Sequence, residues 1–191
     1  NALWGEEHVR GWPVTLETIA NVTRADIVAW HRVRFRPNNA ILAVAGDINP
    51  ALLRKQLSRA FADWARGTVW PRKNYGTPAL KRVRVRLIDK PDQTQSQIVV
   101  GHFGLAQKDA DFFPTMAMNY TLGGGAFSSR LMQVVRSRAG KTYGARSSFE
   151  AGERLGAFMV GTFTRNSETV ATLKLVLGEI EKMAKSGPSQ A

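Results

Sequence analysis

The chain contains no cysteine, which excludes disulfides and thiolate zinc sites at once. Histidine is nearly as scarce. His8, His31 and His102 lie far apart in sequence. A zinc-hydrolase helix of the HExxH or HxxEH kind needs two histidines on one face. The run Glu6-Glu7-His8 has suitable ligand types but no second histidine at helical spacing, so no metal site is expected. Long hydrophobic runs are missing too: none approaches the roughly 18 residues of a membrane span. The opening Asn1-Ala2-Leu3-Trp4 lacks the charged region and apolar stretch of a signal peptide. Without an initiator methionine the chain reads as a processed or excised piece, so its start says nothing about the parent's leader.

Acidic residues are the next shortage, 15 against 27 lysines and arginines, for a net charge of +12. Basic proteins often bind nucleic acid by neutralising phosphates. Here the excess is spread, +5 over residues 1–80, +6 over 81–145 and +1 over 146–191. Arg82, Arg84 and Arg86 alternate with Val83 and Val85, which predicts a strand with one basic and one apolar face. No aromatic residues interleave with these arginines as base stacking requires. A solvated sheet surface or subunit contact is therefore expected there, and no nucleic acid. Hydrophobic residues make up 43% of the chain, enough for a real core.

The element pattern begins with a short helix near Thr15–Ile19 and a second helix capped by Thr23, with Asp26 three residues on. That helix stops before Pro37, because the residue preceding a proline avoids helical geometry. The continuous apolar run Ala40–Ala45 predicts a strand buried on both faces. Asn49 and Pro50 form a favoured helix start, and the apolar spacing continues to about Trp64. Residues 67–80 hold two glycines and two prolines without periodicity and read as a linker. Strands are then expected at Arg82–Asp89, Ser96–Phe103, Ala145–Glu150 and Gly156–Phe163. Helices are expected at Asp109–Leu122, Ser129–Arg138 and Ser167–Lys185, the last with Val170, Leu173, Val176, Leu177, Ile180 and Met183 on its inner stripe. The class is α+β, an antiparallel or mixed sheet packed against helices. One strand cannot have both faces buried by the helices before residue 67, so that first part reads as incomplete and the chain as cut at both ends.

Several motifs tempt and fail. Ser128 lacks the following glycine of a nucleophile elbow, and Ser129 reads as a helix N-cap. Gly140-Lys141-Thr142 lacks the upstream glycine of a phosphate loop, since Val135 stands there. What remains is the stretch Leu122–Ala145, with Arg136 near the end of a helix and Tyr143 seven residues on, past the cap at Gly140. A fixed cation and a phenol can together hold a polarised carbonyl oxygen. Spacing alone leaves the plainer alternative open, an exposed helix cation and a packed ring.

At these residues the chain resembles the M16 zinc metallopeptidases, the group of pitrilysin, insulin-degrading enzyme and mitochondrial processing peptidase. The segment Leu122–Gly144 is similar to the second homologous domain of bacterial members, and Arg36–Asp47 to the strand-and-turn signature that follows the first domain's active site. Asp109–Phe113 and the 167–185 helix fit as well. The resemblance implies an M16 (LuxS/MPP-like) fold, with residues 1–66 the tail of a first homologous domain, 67–80 the linker and 81–191 most of a second. It implies zinc held by HxxEH and a distal Glu in another domain or subunit, as a homo- or heterodimer. Arg136 and Tyr143 then become the pair that grips a peptide substrate near that metal. HxxEH is absent from this sequence, so the chain is expected to be inactive alone, with neither catalytic nor metal-binding residues of its own. Bacterial periplasm and cytoplasm both suit the resemblance. A non-catalytic assembly subunit is the main alternative.

Overall fold

The computed structural model describes residues 2–71 and 73–188. It divides into two compact units, Glu6–Gly76 and the described residues of Asn1–Gly5 with Thr77–Ala191.

The unit Glu6–Gly76 is built by local capping chemistry. Helix α1 (Leu16–Ala20) starts at Thr15, whose hydroxyl accepts from the Thr18 amide at 3.1 Å. Helix α2 (Arg24–Arg34) starts at Thr23 in a reciprocal capping box. The Thr23 hydroxyl accepts from the Asp26 amide at 3.2 Å, and the Thr23 amide donates to the Asp26 carboxylate at 2.9 Å. These bonds hold the Asp26 carboxyl below its ordinary pKa, the Thr23 hydroxyl contributing most and its amide next. Helix α3 (Pro50–Ala60) is capped by Asn49, which accepts from the amides of Ala51 and Leu52. It ends short of the expected Trp64 because Phe61 leaves helical geometry and the chain turns. The Trp64 indole then donates to the Phe35 carbonyl at 3.3 Å, and Asn38 brackets Gly67 through both its backbone groups.

The expected strand Ala40–Ala45 does not form. Its residues are irregular and exposed, Ile41 at 97%. A strand is stable only as a member of a ladder, and this unit offers Ala40–Ala45 no pairing partner among the described residues. The helices likewise bury none of their residues, so the apolar side chains of α2, Ile27 and Trp30, face outward.

The larger unit carries the core. Its sheet is antiparallel, with β3 (Ala157–Arg165) between β1 (Gln95–Phe103) and β2 (Ala145–Phe149). Gln95 pairs with Arg165 and Phe103 with Ala157, while Ala145 pairs with Thr162 and Phe149 with Phe158. Alternation sends Ile98, Phe158, Val160, Ala145 and Ser147 inward and leaves Val99 exposed on the other face. Helix α5 (Thr169–Ser186) and the helical segments around Leu131 and Val135 cover the inner face. Leu122, Leu131, Val135, Phe158, Val160, Val176 and Met183 form the cluster.

One expectation fails in this unit and another holds in part. Arg82–Asp89 forms no strand, with Val83, Val85 and Leu87 each 90% exposed, so among the described residues the arginine alternation belongs to no sheet. Of the expected stripe of α5, Val176 and Met183 are buried and Ile180 packs against the core, whereas Val170 and Leu177 stay exposed and Thr172 and Glu179 are buried beside them. Buried Glu179 is held in an ion pair. Its carboxylate accepts from Arg130 Nε at 3.0 Å and from Lys182 Nζ at 2.7 Å. Burial is the largest single influence and pushes the carboxyl pKa up, but the hydrogen bonds and charges of Lys182 and Arg130 together outweigh it and leave the pKa lowered.

Candidate functional site

The stretch from Tyr120 to Ala145 forms one continuous framework. Helix α4 (Phe112–Asn119) runs into a π-helical turn, Tyr120–Gly124, so the expected helix to Leu122 changes its winding before its end. The reason lies at Gly123. A side chain there would overlap the Ser147 amide and hydroxyl and press on Leu131, so only glycine lets this turn lie directly on β2. Beside it, Ser147 donates from its hydroxyl to Asn119 Oδ1 at 2.7 Å, and Asn119 Nδ2 donates to the Ser147 carbonyl at 3.3 Å. Both side chains are buried. This amide pair satisfies backbone at the edge strand β2 while fixing the turn.

The chain then makes a tight loop in which Ala126 adopts φ 50°, a left-handed conformation uncommon for a side-chain-bearing residue. Ser128 donates to the Gly125 carbonyl at 2.7 Å and Ser129 to the Ala126 carbonyl at 2.7 Å. Ser129 does open the next helical segment, since its carbonyl accepts from Gln133 at 3.0 Å, but its hydroxyl points back into the loop. The expected helix Ser129–Arg138 becomes largely π-helical over Met132–Arg138. Gly140, at φ 62°, ends it. The Gly140 amide donates to the Arg136 carbonyl at 3.0 Å and the Lys141 amide to the Val135 carbonyl at 2.9 Å.

The segment that follows Gly140 is pinned on both sides of Tyr143. Lys141 Nζ lies 2.7 Å from the Glu168 carboxylate, which occupies the lysine that a phosphate loop would need. Thr164 donates to the Lys141 carbonyl at 2.7 Å and Thr162 to the Gly144 carbonyl at 2.9 Å. The Thr142 hydroxyl accepts from the Gly144 amide at 3.1 Å. Between these anchors Tyr143 projects outward, 79% exposed. Among the described residues its hydroxyl makes no hydrogen bond.

Arg136 is half-buried, and its guanidinium lies over the Phe127 ring at 4.7 Å from the centroid. No hydrogen bond joins Arg136 to Tyr143 among the described residues. Phe127 was not singled out by the sequence reading. The available signal was a bulky aromatic residue in a glycine- and serine-rich turn, where polar residues are the rule.

The histidines have structural partners. The His8 ring accepts from the Arg10 amide at 3.0 Å, His31 stacks on Phe35 at 4.5 Å, and His102 packs on Phe158 at 4.8 Å. Among the described residues no group of three His, Cys, Asp or Glu side chains is placed to hold a metal ion. No described helix is long and apolar enough to cross a membrane.

Comparison with known proteins agrees with this architecture. The chain is 29% identical over 189 residues to an uncharacterized zinc protease of Streptomyces coelicolor, covering 95% of this chain and 40% of that protein. A zinc protease of Mycobacterium leprae, also uncharacterized, is 26% identical over 200 residues, covering all of this chain and 43% of its own length. The chain therefore spans about two fifths of the length of these curated relatives. Among solved structures, a peptidase M16 inactive domain from Pseudomonas fluorescens superposes with a TM-score of 0.81 at 28% identity, over 92% of this chain and 42% of that one. A protease from Helicobacter pylori shares the fold, with a TM-score of 0.75 at 23% identity over 92% of this chain and 43% of the other. The model of the peptidase M16 inactive domain matches residues 21–191. With that match over most of its length, the chain belongs to the peptidase M16 inactive-domain family.

Proposed function

We propose that this chain is the substrate-holding, zinc-free half of an M16-type zinc endopeptidase, with Arg136 and Tyr143 gripping the peptide. In this reading Glu6–Gly76 belongs to the tail of one homologous domain and the unit from Thr77 onward to the next, joined through residues 67–80. The observation that carries the reading is the way Tyr143 is held. Four side-chain bonds and an ion pair rigidify the segment around it, while the phenol itself is exposed and hydrogen-bonds to none of the described residues. A rigid frame that leaves its polar tip unused suits a donor waiting for an external acceptor. Arg136 supplies a permanent charge one turn upstream of the same cap.

The Tyr143 hydroxyl donates to a substrate carbonyl oxygen, and the Arg136 guanidinium stabilises negative charge as it develops there. Neither group needs to gain or lose a proton. In this reading zinc and its chemistry belong to an HxxEH-bearing domain or subunit, in keeping with the lack of a group of three His, Cys, Asp or Glu side chains among the described residues.

The test is peptide cleavage by the assembly with its HxxEH-bearing component present. Arg136→Ala is expected to lower kcat/KM by about a hundredfold, on the scale of losing one oxyanion donor. Tyr143→Phe, which keeps the ring and removes only the hydroxyl, is expected to lose about tenfold or more. Undiminished cleavage by both variants would refute the role and favour a non-catalytic assembly subunit.

A further inference from the structure

We infer that Phe127 is a positioning residue for Arg136, a ring held at the loop tip so that the guanidinium lies in one place. The inference rests on the substrate-holding role proposed for Arg136. Phe127 is 65% exposed, so its ring stands at the surface within reach of the neighbouring Arg136. Its backbone is unusually well fixed for an exposed loop. Gln133 Nε2 donates to the Phe127 carbonyl at 2.7 Å, and the Ser128 and Ser129 hydroxyls tie down the residues on either side. The preceding residue, Ala126, sits at φ 50°, so the chain bears local strain to present the ring in this orientation.

What the ring meets is Arg136, with the guanidinium carbon 4.7 Å from its centroid. An arginine on a flexible stem loses considerable rotamer freedom when it must meet a substrate in one geometry. Stacking on a fixed aromatic face confines the side chain beforehand and leaves the guanidinium N–H groups, which lie at the edges of its plane, free to donate. Phe127 therefore touches the arginine, and the arginine touches the substrate. The ring's contribution is the energy of an exposed cation–π pair, which corresponds to about a two- to fivefold effect on rate.

A double-mutant cycle in the full HxxEH-containing assembly tests this. Phe127→Leu keeps apolar bulk and removes the π face, whereas Phe127→Tyr keeps the face. The expected result is a loss of about two- to fivefold in kcat/KM for Phe127→Leu and near-normal cleavage for Phe127→Tyr. In an Arg136→Ala background, Phe127→Leu is expected to cost nothing further. Equal losses from Phe127→Leu with and without Arg136 would overturn the inference, since the ring would then act on the substrate or the fold directly. Normal cleavage by Phe127→Leu would overturn it as well. If Arg136→Ala cleaves normally, the substrate-holding reading itself fails and the inference falls with it. If Arg136→Ala is impaired and Phe127→Leu is not, only the positioning role fails.

Discussion

Gly123 gives the sharpest test of how the candidate site is built. Replacing it with alanine adds one methyl to a buried turn, where that methyl would overlap the Ser147 amide and hydroxyl and meet Leu131 Cδ1 at 2.9 Å. Ser147 lies on β2, paired with Val160 of the central strand, so the amide moves only if the ladder moves with it. Forcing a methyl into packed backbone costs about 1–3 kcal/mol. Pushing Ser147 aside also strains its two hydrogen bonds with Asn119, worth together about 1–3 kcal/mol. The total is about 2–6 kcal/mol, a large part of the stability of a small domain. On the scale of about 2–4 °C per kcal/mol for a chain of this length, the melting temperature should fall by roughly 5–20 °C. Thermal unfolding followed by circular dichroism measures this directly. Gly161→Ala is the control, since Gly161 lies on β3 with nothing within 4 Å of an added Cβ, and it should melt close to the parent. If Gly123→Ala melts within about 2 °C of the parent, the turn is not seated on β2 as described, because so small a shift corresponds to about 1 kcal/mol or less, below the range expected.

Gly178 should behave oppositely: it lies within α5 with open space where a Cβ would go, so Gly178→Ala should stabilise by about 0.5–1 kcal/mol and raise the melting temperature. Asn49→Ala removes the acceptor for two amides at the start of α3 and should cost that helix about 1 kcal/mol, read as lost helicity in a urea titration. Glu179 has a folded pKa below its ordinary value of 4.5, so its stabilisation is fully present above that value and is lost as pH falls through the lowered one. Glu179→Gln should therefore reduce stability at neutral pH and flatten the acid limb of a stability-against-pH curve. An unchanged acid limb would show that Glu179 is not the titrating group.

The parts of this chain that could be read from sequence are those whose physics is local. Thr23 with Asp26, Asn49 with Pro50, and Gly140 each settle backbone groups within a few residues, and each acts in the structure as its neighbours predict. The strands Ser96–Phe103, Ala145–Glu150 and Gly156–Phe163 were also legible, because they pair with one another and their alternation meets a real core. Ala40–Ala45 and Arg82–Asp89 carry equally strong strand patterns and form none. The difference is not propensity but the partner, since hydrogen-bond ladders are a property of two segments and the pattern of one segment cannot supply the other. The same logic governs the site. Arg136 and Tyr143 stood out because a helix cap separates them by a fixed count. What holds Arg136 is a ring nine residues earlier, reached only because Ala126 turns left-handed after Gly125. Glu179 on the inner stripe of α5 is the same kind of case, a charge that periodicity assigns to solvent and that Arg130, 49 residues away, brings inside. In each instance a contact across the fold overrides a local rule. The two overrides in this unit that involve arginine differ in one respect: Arg130 has its carboxylate, whereas Arg136 meets a π face and, among the described residues, no hydrogen-bond acceptor. Exposed arginines such as Arg138 and Arg146 also show no ion pair among the described residues, so what sets Arg136 apart is the ring beneath it, and the proposal that it meets substrate rests on that difference.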